Sequence, residues 1–180
     1  MRKKNLLLGF MVILSSLCYA QNIPPAPATK AVVYIVRTSS YGSIIGFSYF
    51  DSTTYLGKTS GVNYVRFEME PGKHILWARS ENRSFVEADL EAGKIYFLEA
   101  TPGMGFVKAQ VVLTPVNPAK DQKTMKRIFK LLEKEQPTVP RMEHISADII
   151  PSAMEKYQQN KEKGENILKL ERSQYYTPNN

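Results

Sequence analysis

The side chains best able to do chemistry do not gather in this chain. His74 and His144 are the only histidines, seventy residues apart, and a metal site wants a cluster of ligands. His74 opens a strand directly after a turn, where a structural or solvent-facing role is the plain reading. Cys18, the only cysteine, falls within the first twenty residues. No Gly-x-Ser-x-Gly, Ser-x-x-Lys, His-Glu-x-x-His or phosphate-loop pattern occurs. Gly103-Met104-Gly105 lacks the third glycine and the following helix of a dinucleotide loop, so it reads as a turn. Asn82-Arg83-Ser84 has the form of a glycosylation sequon, here read as chance beside a bacterial type of leader. Nothing nominates a catalytic, cofactor-binding or metal-ligating residue. A pair of carboxylates for hydrolysis is an open alternative, since spatial separation decides that chemistry.

Aromatic residues are the other resource. Tyr41, Tyr49, Tyr55, Tyr64 and Trp77 could stack on a sugar or fill a core, and core filling is the commoner use.

The ends of the chain set its compartment. Arg2, Lys3 and Lys4 precede an apolar run from Leu6 to Leu14, and Cys18-Tyr19-Ala20 places small residues at −3 and −1 of a cut after Ala20. That is a secretory signal peptide over 1–20, too short in its apolar part to span a bilayer. Lipidation at Cys18 is the lesser alternative, because Leu17 is not the small residue such processing wants. Removal of 1–20 takes three positive charges from a net +7, leaving +4, and takes the only thiol with it. The mature chain therefore enters the periplasm or beyond without a disulfide to hold it. Acids and bases interleave along it, which argues against a nucleic-acid partner.

Residues 21–30 are a proline-rich leader, read as extended and without a core face. From Ala31 the texture becomes β-rich, with strands predicted at about 31–37, 44–50, 62–69, 74–80, 84–90, 95–100 and 106–114, broken by turn residues such as Pro71-Gly72 and Ala92-Gly93. The expected fold is mainly β: a small antiparallel β-sandwich of about seven strands over 31–116. An amphipathic helix over 117–136 and a charged helical or partly disordered tail over 137–180 follow. Alternation gives the core face as Val65, Phe67, Met69; Val86, Ala88, Leu90; and Val107, Ala109, Val111, Leu113. Strands 31–37 and 74–80 are apolar on both faces, so something must cover the outside. Met125, Ile128, Phe129 and Leu132, one stripe of a helix over 120–135, are the candidate cover. A second stretch, 152–172, is expected to be helical, mostly solvated and weakened in its middle by Gly164, with the last eight residues frayed.

Three segments carry a resemblance. They are Tyr34-Ile35-Val36-Arg37 in the opening strand, Pro71-Gly72-Lys73-His74 and Glu91-Ala92-Gly93-Lys94-Ile95-Tyr96, with Gly105-Phe106 in the closing strand. This pattern resembles the bacterial domain-of-unknown-function family numbered 2846, over roughly 31–116. The related PEGA-type sandwiches share the Pro-Gly-x-His turn. Asp51 to Lys58 departs from the family's usual Asp-Gly-Lys turn. The resemblance implies a β-sandwich at the cell envelope and transfers no activity and no functional residue.

The expected function is therefore an exported, non-catalytic β-sandwich module acting by binding or structural contact with a protein or other envelope component. A carbohydrate or cell-wall ligand module is the alternative, and a hydrolase with a carboxylate pair the second. No cofactor is implied. If seven strands simply alternate in direction, loops 51–61, 81–83 and 101–105 gather at one end, bringing Tyr55, Arg83 and Met104 together as a candidate ligand surface. An eighth strand near Tyr55 to Lys58 would reverse every later direction and dissolve that grouping.

Overall fold

The computed structural model describes residues 23–103 and 110–178. The leader pattern at 1–20 and the segment 104–109, with Met104, Val107 and Ala109, lie outside them. The chain is mainly β, built as two packed sheets with a helix on each outer face.

Nine strands form, against the seven expected. They are β1 (Ala31–Arg37), β2 (Phe47–Asp51), β3 (Thr54–Thr59), β4 (Asn63–Met69), β5 (Gly72–Arg79), β6 (Arg83–Leu90), β7 (Ile95–Gly103), β8 (Gln110–Val116) and β9 (Leu168–Leu170). The first sheet runs β4-β1-β7-β8 and the second β3-β2-β5-β6-β9. The additions are β3, which the polar run after Asp51 conceals, and the three-residue β9, parallel to β6.

The strands clothe one core. Val33, Ile35, Val65, Leu76, Ala78, Val86, Ala88, Leu90, Val111 and Leu113 all lie buried between the sheets. Each follows the period-two pattern that puts alternate side chains on one face. The residues between them form the two outer faces, and these are covered separately. On the first sheet, Val32, Tyr34, Val36 and Phe97 pack under helix α1 (Gln122–Lys134) through Met125, Ile128 and Leu131, with Phe129 and Leu132 at the margin. On the second sheet, Phe50, Trp77 and Phe85 pack under helix α2 (Ile149–Glu162) through Ile149, Ala153 and Tyr157.

Four expectations are corrected here. The proline-rich leader does have a core face, since Ile23 is buried against the first sheet. The second helical stretch is a structural cover rather than a solvated rod, because Ile149, Ala153 and Tyr157 recur every four residues on one side. Gly164 does not weaken that helix from within. At φ +67° it stands just past the last helical turn, where a left-handed residue ends a helix. Nor are residues 173–178 frayed: the Tyr176 N–H donates to the Ile95 carbonyl at 2.7 Å, and its ring packs on Phe97 and Phe129.

With β3 present, β1 to β8 alternate in direction as eight strands. Loop 38–46 consequently shares an end with 60–62 and 80–82, and the Gly61 N–H donates to the Ser43 carbonyl across it. The turns 52–53, 70–71 and 91–94 gather at the other end. The seven-strand grouping of loops does not occur.

Candidate functional site

Alternation sends Lys73, Ile75, Trp77 and Arg79 of β5, and Arg83, Phe85, Glu87 and Asp89 of β6, to the outer face of the second sheet. The half of this face nearer loop 80–82 is sealed. Trp77 is fully buried and stacks on Phe50 at 3.7 Å between ring centres, and Tyr55, Phe85 and Tyr157 extend the row. The indole N–H donates to the Ser52 carbonyl at 2.9 Å.

The other half opens into a cleft of about 560 Å³ between the sheet, the last turns of α2 and β9. That is the size of a small-molecule site. Its wall is a polar network. The Tyr157 hydroxyl donates to Glu87 at 2.5 Å, and Lys161 stands 3.2 Å from the same oxygen. Hydrogen bonding from Tyr157 first, then Lys161, holds the Glu87 carboxyl below its ordinary range. Asp89 is paired with Arg172 at 2.8 Å. Lys73 lies directly across from Asp89, and Lys169 across from Glu87. Among the described residues neither lysine has a carboxylate oxygen within ion-pair distance, so their ammonium groups are the cleft's unengaged donors.

At the rim, Asp51, Ser52 and His74 have the residue types of a hydrolytic triad but not its connections. In that mechanism the imidazole Nε2 accepts the serine proton while Nδ1–H is held by the acid. Here His74 Nδ1 is 2.7 Å from Asp51 Oδ2, while Nε2 is 2.8 Å from the Glu70 carbonyl. The Ser52 hydroxyl turns to Asp51, at 3.4 Å. Both imidazole nitrogens are directed at these acceptors and neither at the Ser52 hydroxyl.

Of the sequence-derived surface, Tyr55 and Arg83 are not brought together. Tyr55 lies on edge strand β3 against Phe50. Arg83 is across from Arg79 on β6 and donates to Ser152 at 2.6 Å. With β2 and β5 between their strands, the two are about 14 Å apart from strand spacing alone. Met104 lies outside the described residues. The sugar-stacking rings fare similarly: Tyr49, Tyr64 and Trp77 are buried, and only Tyr41 of that group is largely open, at 66%. Asn82, the sequon asparagine, is engaged at its amide, donating to the Val111 carbonyl at 2.9 Å and accepting from the Val111 N–H at 2.7 Å.

Glu87, Asp89, Tyr157, Lys161 and Lys169 were not singled out by the sequence, although Glu87-Ala88-Asp89 alternates its acids away from the core. No family model, curated protein or solved structure matches this chain.

Proposed function

We propose that this chain is an exported, non-catalytic β-sandwich module of the periplasm or cell envelope. It works by contact, and the cleft on the second sheet is its contact surface. The observation that carries this reading is the state of the cleft's polar groups. Glu87 and Asp89 are engaged by Tyr157, Lys161 and Arg172, the imidazole faces an acceptor at each nitrogen, and Lys73 and Lys169, with no carboxylate oxygen at ion-pair distance among the described residues, can meet carboxylates or phosphates of a partner. Export is supported by the basic, apolar and small-residue pattern of 1–20, and an envelope location by the resemblance to family 2846. A stacking glycan site is less well supported, because the rings it would use are packed away.

Fractionation of the native host tests the proposal. The chain should appear in the periplasmic or envelope fraction with its N-terminus at Gln21 and no lipid. K73E/K169E should be released from the envelope pellet without a change in melting temperature. Retention unaffected by the charge reversal would place the contact elsewhere. A cytoplasmic chain keeping residues 1–20 would remove the export reading.

A further inference from the structure

His74 lies near the start of β5, at the end of the sandwich where turns 52–53 and 70–71 meet. An imidazole with one N–H can donate once, yet both nitrogens of His74 face acceptors at hydrogen-bond distance, a carboxylate and a peptide carbonyl. The peptide carbonyl has no proton to offer in return. The arrangement is satisfied when both ring nitrogens carry hydrogen.

We infer that His74, held as an imidazolium, is a proton-dependent latch on the rim of the cleft, tying turn 52–53 to turn 70–71. This rests on reading the cleft as the contact surface. The latch reaches that surface through two lining residues. Ser52 follows Asp51 directly and holds a left-handed φ of +50°, kept there by its N–H to the Ile75 carbonyl at 2.8 Å and by the Trp77 indole on its own carbonyl. A non-glycine residue in that region persists only where its surroundings enforce it. Lys73 adjoins His74 and follows the Glu70 turn.

The charges around the ring support the cationic form. Asp51 faces it from β2 and Glu70 from the turn, the latter paired with Lys30. On β6 the residue opposite is Ala88, and its neighbours Glu87 and Asp89 project to the other face, as Lys73 does on β5. The Asp51 hydrogen bond raises the imidazole above its ordinary range against the opposing effect of burial, and the Glu70 carbonyl adds to the rise. A raised folded-state value means the latch contributes fully below about pH 6.5, the unfolded value. Its contribution is lost as pH rises through the folded value.

The test is an NMR titration of the full mature chain, using H144Q so that one imidazole remains. The His74 ring signal should titrate with a midpoint above about 6.5. The Ser52 and Lys73 amides should follow the same midpoint, and D51N should lower it. Urea unfolding should show stability falling above pH 6.5 in the wild type, with that component missing in H74Q. A midpoint at or below the ordinary value would overturn the latch, as would rim amides that ignore it. Either failure leaves the fractionation result standing, and a failed fractionation leaves the titration standing.

Discussion

Arg37 shows how one residue sets a loop. Its guanidinium is buried over the Phe47 ring at 4.3 Å, and it donates to the carbonyls of Ile45 at 2.6 Å, Tyr41 at 3.3 Å and Gly42. Burial pushes its pKa down, against a smaller opposing effect of Tyr49. These bonds hold residues 38–46 as a loop, so β2 starts at Phe47 and not at the predicted residue 44. R37M leaves three carbonyls without their donor and should cost about 1–3 kcal/mol in urea unfolding. It should also make 38–46 the first site of proteolytic cutting while leaving the cleft's spectrum unchanged. Asn82 does comparable work on the free edge of β8, where it satisfies both backbone groups of Val111 and Ser84 satisfies the Leu113 N–H. That blunts an edge otherwise open to pairing with another chain. N82A should destabilise by about 2 kcal/mol, in the range for a buried backbone pair left unmatched, and should increase aggregation on storage. Neither role is visible in the sequence, because each depends on a partner brought close by folding. The same holds for His74. A structural role could be read from its position after a turn, but Asp51, twenty-three residues earlier, has no motif linking it to His74.

At the scale of elements, strands and first helix are legible because burial imposes a period. In β5, apolar on both faces, alternation sets Leu76 and Ala78 against Ile75 and Trp77 without saying which pair faces inward. The sequence offers one helix as cover where the fold uses two, and Trp77 lies under α2, not α1. The cause is the sparse apolar content of 149–162, where only Ile149, Ala153 and Tyr157 reach the sheet fully. β3 is the eighth strand weighed near Tyr55 to Lys58, where Gly57 looks like turn punctuation. It has another purpose: at φ +113° it faces Pro140, which stands 2.4 Å from where a Cβ would lie. Residues 135–143 cross there from α1 to α2, joining the edges of both sheets by hydrogen bonds from Thr138 N–H to Tyr64 and between Lys58 and Arg141. The stripe of α1 supplies a sharp comparison. I128A, at a fully buried position, should cost about 2–5 kcal/mol, the range for such truncations. F129A should cost less than the full phenylalanine range of about 3–5 kcal/mol, since its ring is only half-buried against Tyr176. Equal losses in chemical denaturation would mean the helix is rotated from this placement.

Over the whole molecule, the chain closes one end of its own sandwich. After β9 it passes beneath the turns at 91–94, where the Tyr96 hydroxyl meets the Arg172 carbonyl at 3.1 Å and Lys94 stands over the Tyr175 ring at 4.1 Å. Among the described residues no helix is long and apolar enough to cross a membrane. Deleting 163–180 should therefore lower the melting temperature and expose Ile95 and Phe97, read as increased binding of a hydrophobic dye. The same tail supplies Lys169 to the cleft and Arg172 to its Asp89, so the proposed contact surface depends on it. A photo-crosslinking residue placed at Lys169 in the living host tests that surface most directly, compared with one at Lys126 on the exposed side of α1. A discrete envelope adduct is expected from position 169, weakened by K73E and missing from position 126. No adduct at 169, or the same adducts from both positions, would contradict it.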